Sequence, residues 1–114
     1  MLIRREALEE VGLLDEGYWL YMDDLDWCFR FHQHGWQVWY EGAVTCLHVK
    51  GGTTVRRRHR ASRQEIAFHR SMGRFYRKFY AGTNPALDLA VYLAIATKLA
   101  ISVTRSAVAR RSLT

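Results

Sequence analysis

Residues 21–30 read YMDDLDWCFR, with Asp23, Asp24 and Asp26 inside four positions and Tyr21, Met22, Leu25, Trp27, Cys28 and Phe29 around them. Charge placed among side chains that prefer burial is costly unless it is paired, capped or used for chemistry. Asp23 and Asp26 have the spacing of an N-cap and its N3 partner, and carboxylates suit a helix N-terminus. A helix is therefore predicted from Asp23 to a stop at Gly35. Leu25, Cys28, Phe29 and His32 share one face of it, and Asp26 pairs with Arg30 at i,i+4. Capping and one ion pair account for Asp23 and Asp26 and leave Asp24 over. A carboxylate on a first helical turn beside an aromatic loop can serve as a general base toward a hydroxyl, or simply as one more capping charge.

Working outward, Arg5 to Val11 has good helix formers closed by Gly12, and "LLDEGYWLYM" reads as an aromatic loop. Tyr18, Trp19 and Tyr21 in that loop suit either core packing or the wall of a binding pocket. After Gly35, Trp36, Val38 and Tyr40 alternate, as do Val44, Cys46 and His48, so two short strands are predicted. His48 at a strand end suits a structural role or a metal; no H-x-x-x-H or H-E-x-x-H spacing decides between them. "VKGGTTVRRRHR" is a basic, glycine-containing loop in which Lys50, Gly51, Gly52 and Thr53 can hold a diphosphate through backbone N–H groups or remain solvated. Ser62 and Glu65 form a capping box for a helix with Phe68, Met72, Phe75, Tyr76 and Phe79 on one side and Arg63, Arg70, Arg74, Arg77 and Lys78 elsewhere. Gly82 ends it, and Asn84 with Pro85 starts a last helix to about residue 110.

Composition sets bounds. The chain has 114 residues, 49% of them apolar and one a proline, which excludes a disordered tail and allows one modest core. Two cysteines, Cys28 and Cys46, without CxxC spacing indicate reduced thiols rather than a disulfide framework or zinc cluster. Charges from Arg4 onward leave no apolar run for a secretory signal, so a cytoplasmic chain is expected. The net charge of +6 is uneven: residues 1–50 hold nine acids against four Lys/Arg, and residues 51–114 hold two against thirteen. That second half is built to meet an anionic surface, whether phosphates, nucleic acid or lipid. Between Leu87 and Thr104 the chain is apolar except for Asp88 and Lys98, which leave uncharged runs short of the ~20 residues a bilayer span needs. An amphipathic helix lying on an anionic leaflet is the expectation.

Taken together, Arg4, Arg5, Ala7, Val11, Gly12, Asp15, Glu16, Asp23, Asp24, Asp26, Arg30, Gly35, Trp36, Tyr40, His48, Gly51 and Gly52 fall in an order that resembles the second half of family 2 glycosyltransferases, especially rhamnosyltransferase-like and galactofuranosyltransferase-like members. "HRSMGRFYRKFY" resembles the basic aromatic helix that follows in such enzymes. The resemblance implies an α/β, partial GT-A fold and inverting transfer of a sugar from a nucleotide-sugar donor to a glycan or lipid-linked acceptor hydroxyl. It implies Asp24 as general base with Asp23 and Asp26 in support, Tyr18, Trp19 and Tyr21 toward the acceptor, and Lys50 to Thr53 toward the donor diphosphate. His48 would join a divalent metal, Mg or Mn. Asp23 stands where the family usually has glutamate.

On this reading residues 1–55 are the C-terminal portion of a catalytic domain, 56–82 a basic aromatic helix and 83–114 a membrane-associated helix. The family's D-x-D motif and nucleotide-binding βαβ units have no counterpart here, so the missing N-terminal half is an expected partner and the chain alone is not expected to turn over. The expected location is the cytoplasmic face of the membrane, and nucleic acid is not an expected partner. Two other classes compete: a basic nucleic-acid-binding module, favoured by the charge of the second half, and a non-catalytic remnant that docks on membranes or on a transferase.

Overall fold

The computed structural model describes residues 1–47 and 60–111. They hold four helices: α1 (Arg5–Val11), α2 (Asp23–Gln33), α3 (Arg60–Phe79) and α4 (Pro85–Arg111). α1 stops at Gly12, whose φ of 80° is open to a residue without Cβ. α1 and α2 enclose a small core of Ala7, Val11 and Phe31, covered by Ile3, Trp27 and Trp36. The exposed carbonyls at the end of α1 are satisfied by side chains of α2. Arg30 Nη1 donates to Val11 O at 2.7 Å, Arg30 Nη2 to Leu13 O at 2.6 Å, and Trp27 Nε1 to Gly12 O at 2.8 Å.

Aromatic packing joins α3 to α2. Phe29 meets Phe75 and Phe79 at ring separations of 5.6 and 4.5 Å, and Tyr21 meets Phe68 edge-on at 5.6 Å. α4 returns antiparallel along α3. Near the turn Tyr76 Oη donates to Asp88 Oδ1 at 2.7 Å; at the far end Ser102 Oγ donates to Glu65 Oε2, also at 2.7 Å. Asn84 Oδ1 caps α4 by accepting from the N–H groups of Ala86 and Leu87, as its spacing before Pro85 predicts.

Four sequence expectations change. Met22, not Asp23, is the N-cap of α2, and it sits in the left-handed region. Ser62 and Glu65 lie within α3 rather than at its start, and Glu65 spends its carboxylate on Ser102. The two strands expected over 36–40 and 43–48 are not formed among the described residues, which hold no strand; position 48 lies outside them. A strand needs a hydrogen-bonded neighbour, and here the alternating segment presents Trp39, Tyr40, Val44 and Leu47 to the outside. Finally, α4 carries exposed apolar residues such as Leu87, Leu89, Leu93 and Ile101 rather than one apolar and one polar face, and Pro85–Ser106 is long and apolar enough to cross a membrane by length and composition. Asp88 interrupts it little because it lies in the first turn, taken up by Tyr76 and by the N–H of Gly82.

Candidate functional site

The loop between α1 and α2 is folded by its own acids. Asp15 Oδ1 accepts the Gly17 N–H at 2.8 Å, and the Tyr18 N–H closes back on Asp15 O at 3.1 Å. This turn buries Tyr18, whose hydroxyl donates to Asp26 Oδ2 at 3.0 Å. Burial and the neighbouring Asp26 push the Tyr18 phenol above its ordinary range. Asp26 itself is fully buried. Arg30 Nε reaches its Oδ1 at 2.8 Å, as the i,i+4 spacing predicts, and Lys78 Nζ reaches its Oδ2 at 2.7 Å from α3. Lys78 also bonds Asp15 Oδ2 at 2.8 Å, while Arg74 Nη2 bonds Asp15 Oδ1 at 2.9 Å with its guanidinium 5.2 Å over the Tyr18 ring. The bond from Lys78, with help from Gly17 N–H and Arg74, holds the Asp15 carboxyl down to about 2 against the cost of burial.

Two carboxylates thus meet three cations in a partly buried charge set centred on the fully buried Asp26. Its consequence is positional: it fixes the loop on both α2 and α3. Ser71 Oγ adds a bond to Leu20 O at 2.9 Å. The chain then passes through Tyr21 (φ 64°) and Met22 (φ 71°), two consecutive residues with side chains in the region glycine favours. Each costs on the order of 1–3 kcal/mol, and such conformations persist where the surroundings over-determine them. The strained turn delivers Asp23 and Asp24 onto the first turn of α2, at the positive end of its dipole. Asp24 is exposed, and its Oδ1 accepts only the N–H of Leu25, at 2.8 Å; Asp23 is half-buried.

The DDLD cluster is therefore split by role. Asp26 is fully buried and anchors the cluster through Tyr18, Arg30 and Lys78. Tyr18 is likewise buried, its hydroxyl taken up by Asp26 in the ion cluster. Trp19, 70% exposed, and Tyr21, half-open beside Phe68, remain at the surface. His48, Lys50, Gly51, Gly52 and Thr53 lie outside the described residues. Among the described residues no three His, Cys, Asp or Glu side chains gather as a site for the expected Mg or Mn would need.

Sequence reasoning missed one feature. An open groove of about 630 Å³ runs between the loop and α3, lined by Gly17, Trp19, Ser71 and the arginines 63, 70, 74 and 77. The signal was present in the 7, 4, 3 spacing of those arginines. At about 100° per residue it gathers all four within about 60° of the helix circumference.

Comparison with known proteins places the likeness of this chain among glycosyltransferases. Over 56 residues, 49% of the chain, it is 39% identical to the N-acetylglucosaminyl-diphospho-decaprenol L-rhamnosyltransferase of two strains of Mycobacterium tuberculosis. The chain covers 18% of the length of those relatives. No family model and no solved structure matches it.

Proposed function

We propose that the chain is the acceptor-side segment of a membrane-associated inverting glycosyltransferase, with Asp24 as the general base that takes the proton from the acceptor hydroxyl. The observation that carries this reading is the division of labour in DDLD: Asp26 is consumed by Tyr18, Arg30 and Lys78, while Asp24 is presented to solvent two positions after the left-handed pair Tyr21–Met22. Backbone strain maintained beside an open carboxylate is a mark of a functional turn. A carboxylate on a first helical turn, open to solvent, has the chemistry to accept a proton from a hydroxyl. The partial likeness to a rhamnosyltransferase supplies the reaction class. An α/β partial GT-A architecture, a nucleotide-sugar donor, a divalent metal held in part by His48 and donor contacts from Lys50 to Thr53 belong to the same proposal, as does completion of the fold by a nucleotide-binding N-terminal half.

The cytoplasmic leaflet is part of the same proposal, and membrane association is supported by α4. Apolar over Pro85–Ser106, it lies along α3, which bears Arg63, Arg70, Arg74, Arg77 and Lys78. A helix so charged does not accompany a partner through a hydrocarbon core, which favours a hairpin lying on the membrane over one crossing it.

The test is a chimera in which this chain replaces the matching segment of the mycobacterial rhamnosyltransferase. The proposal expects sugar transfer by the chimera and a loss of about 10²- to 10⁴-fold on Asp24→Asn, with nucleotide-sugar binding unchanged. A folded, donor-binding chimera that transfers equally well with Asp24→Asn refutes the assignment.

A further inference from the structure

We propose that the α3–α4 hairpin rests on the bilayer by the side turned away from α2, and that the arginine row of α3 holds the phosphates of anionic phospholipid headgroups there. The inference deepens the membrane-associated part of the reading above and rests on that part alone.

The neighbours of α3 fix which way its side chains point. Glu65 and Tyr76 meet α4 through Ser102, Asp88 and Tyr92, while Phe75 and Phe79 meet Phe29 of α2. At about 100° per residue, arginines 63, 70, 74 and 77 are centred roughly 140° from the α4 contacts and roughly 150° from the α2 contacts. The row faces away from both helices. A flat surface laid along α3 and α4 on the side opposite α2 meets Ile66, Arg70 and Arg77 within about 40° of its normal. All three are exposed.

The same construction reads α4, which runs antiparallel and turns Asp88, Tyr92 and Ser102 toward α3. Leu89, Leu93, Ala96 and Ala100 then fall within about 50° of the same normal. These four are exposed as well. Lys98 and Arg105, two charges of α4, lie roughly 170° away, on the opposite side of the hairpin. One side thus sets an apolar stripe on α4 beside a cationic row on α3, the profile of an element that rests at a bilayer surface.

Arginine forks match two phosphate oxygens at once, and a guanidinium already bound to a carboxylate is largely committed. Arg74 is so committed, bonded to Asp15 and stacked over Tyr18. Arg70 and Arg77 pair with no carboxylate among the described residues. They stand about 10 Å apart along the helix, far enough to serve neighbouring headgroups. Arg63 lies 5.9 Å over the ring of Trp19, which is exposed at the rim of the groove; such amphipathic rings favour the headgroup level of a membrane. The wall that carries Trp19 is held in place, because Ser71 bonds Leu20 and Arg74 bonds Asp15. Nucleic acid or free phosphate would satisfy the arginines and leave Leu89 and Leu93 in water. A bilayer satisfies both.

The experiment is flotation of the full 114-residue chain with phosphatidylcholine vesicles made with and without phosphatidylglycerol. Binding is expected to be at least about 10-fold tighter to the anionic vesicles. Arg70→Gln/Arg77→Gln should weaken that binding at least about 10-fold, whereas Lys98→Gln/Arg105→Gln, which removes the same charge from the other side of the hairpin, should change it by less than about 3-fold. Arg70→Lys/Arg77→Lys keeps the charge without the fork and should lose about 3-fold or more. Helical circular dichroism of each variant is recorded alongside. Equal losses in the two glutamine pairs, or a lysine pair that binds as the unmodified chain does, overturn the site in favour of a diffuse basic surface. Release of the bound chain by inorganic phosphate at fixed ionic strength overturns the lipid in favour of a free phosphate, and tighter binding of a short RNA than of the anionic vesicles overturns it in favour of nucleic acid. Anionic binding that survives the groove pair removes the arginine site and leaves membrane attachment standing; no binding to either vesicle removes both. Neither result bears on sugar transfer by the chimera.

Discussion

Asp26→Ala separates the structural from the chemical carboxylates. Three donors converge on Asp26: Tyr18 Oη at 3.0 Å, Arg30 Nε at 2.8 Å and Lys78 Nζ at 2.7 Å. Hydrogen bonds to a charged group are worth roughly 1.5–3 kcal/mol each, but the losses do not simply add. Arg30 keeps the carbonyls of Val11 and Leu13, and Lys78 keeps Asp15. Only Tyr18 is left with no acceptor for its buried hydroxyl. The expected cost is about 3 kcal/mol, the lower end of what removing one member of a buried charge pair costs. Against a total stability on the order of 5–15 kcal/mol this is a large share. It should move the urea midpoint, followed by helical circular dichroism, down by roughly 1–2 M. Asp24→Ala, which gives up only the bond to its neighbour's N–H, should stay within about 0.5 kcal/mol of the unmodified chain. A cost under about 1 kcal/mol for Asp26→Ala, or equal costs for the two, would refute the split.

Two further predictions address the same cluster. The Asp15 carboxyl is held at about 2, below its unfolded value near 3.9, so its contribution is complete above pH 4–5 and is lost as pH falls through 4 toward 2. The stability gap between the unmodified chain and Asp15→Asn should hold steady at about 1–2 kcal/mol from pH 5 to 7 and close below pH 4; the figure allows for solvent screening of a partly exposed group. A gap that widens on acidification would contradict the assignment. Gly17 has no room for a side chain, because a Cβ there would occupy the place of the Arg74 guanidinium. Gly17→Ala should swing Arg74 off Asp15 at a cost of about 1 kcal/mol, and the loss should be absent when Arg74→Met is already present, a double-mutant cycle read by urea unfolding.

Local signals were legible in the sequence. Gly12, the Asn84–Pro85 pair and the Asp26–Arg30 spacing each act within a few residues, and each produces the expected helix end, cap or ion pair. The long-range bonds were not legible: Lys78 reaches Asp26 across 52 positions and Arg74 reaches Asp15 across 59, and no periodicity encodes which lysine or arginine of α3 faces the loop. The left-handed pair Tyr21–Met22 was hidden for a related reason, since neither residue favours that conformation and tertiary bonds impose it. The alternating segment after Gly35 shows the opposite failure. Alternation gives a strand its faces but cannot supply the neighbouring strand it must pair with. The arginine row was visible as spacing, yet a groove needs a second wall, and Trp19 and Gly17 supply it only once Asp15 and Ser71 have tied the loop down.

The central claim is that Asp24 takes the acceptor proton, and steady-state kinetics of the chimera at saturating donor and acceptor test it most directly. Asp24→Asn is predicted to lower kcat by about 10²- to 10⁴-fold while leaving KM for the donor within about 3-fold, whereas Asp23→Asn is predicted to lower kcat by less than about 10-fold. A kcat for Asp24→Asn within about 3-fold of the unmodified chimera, or a loss confined to KM, would contradict it.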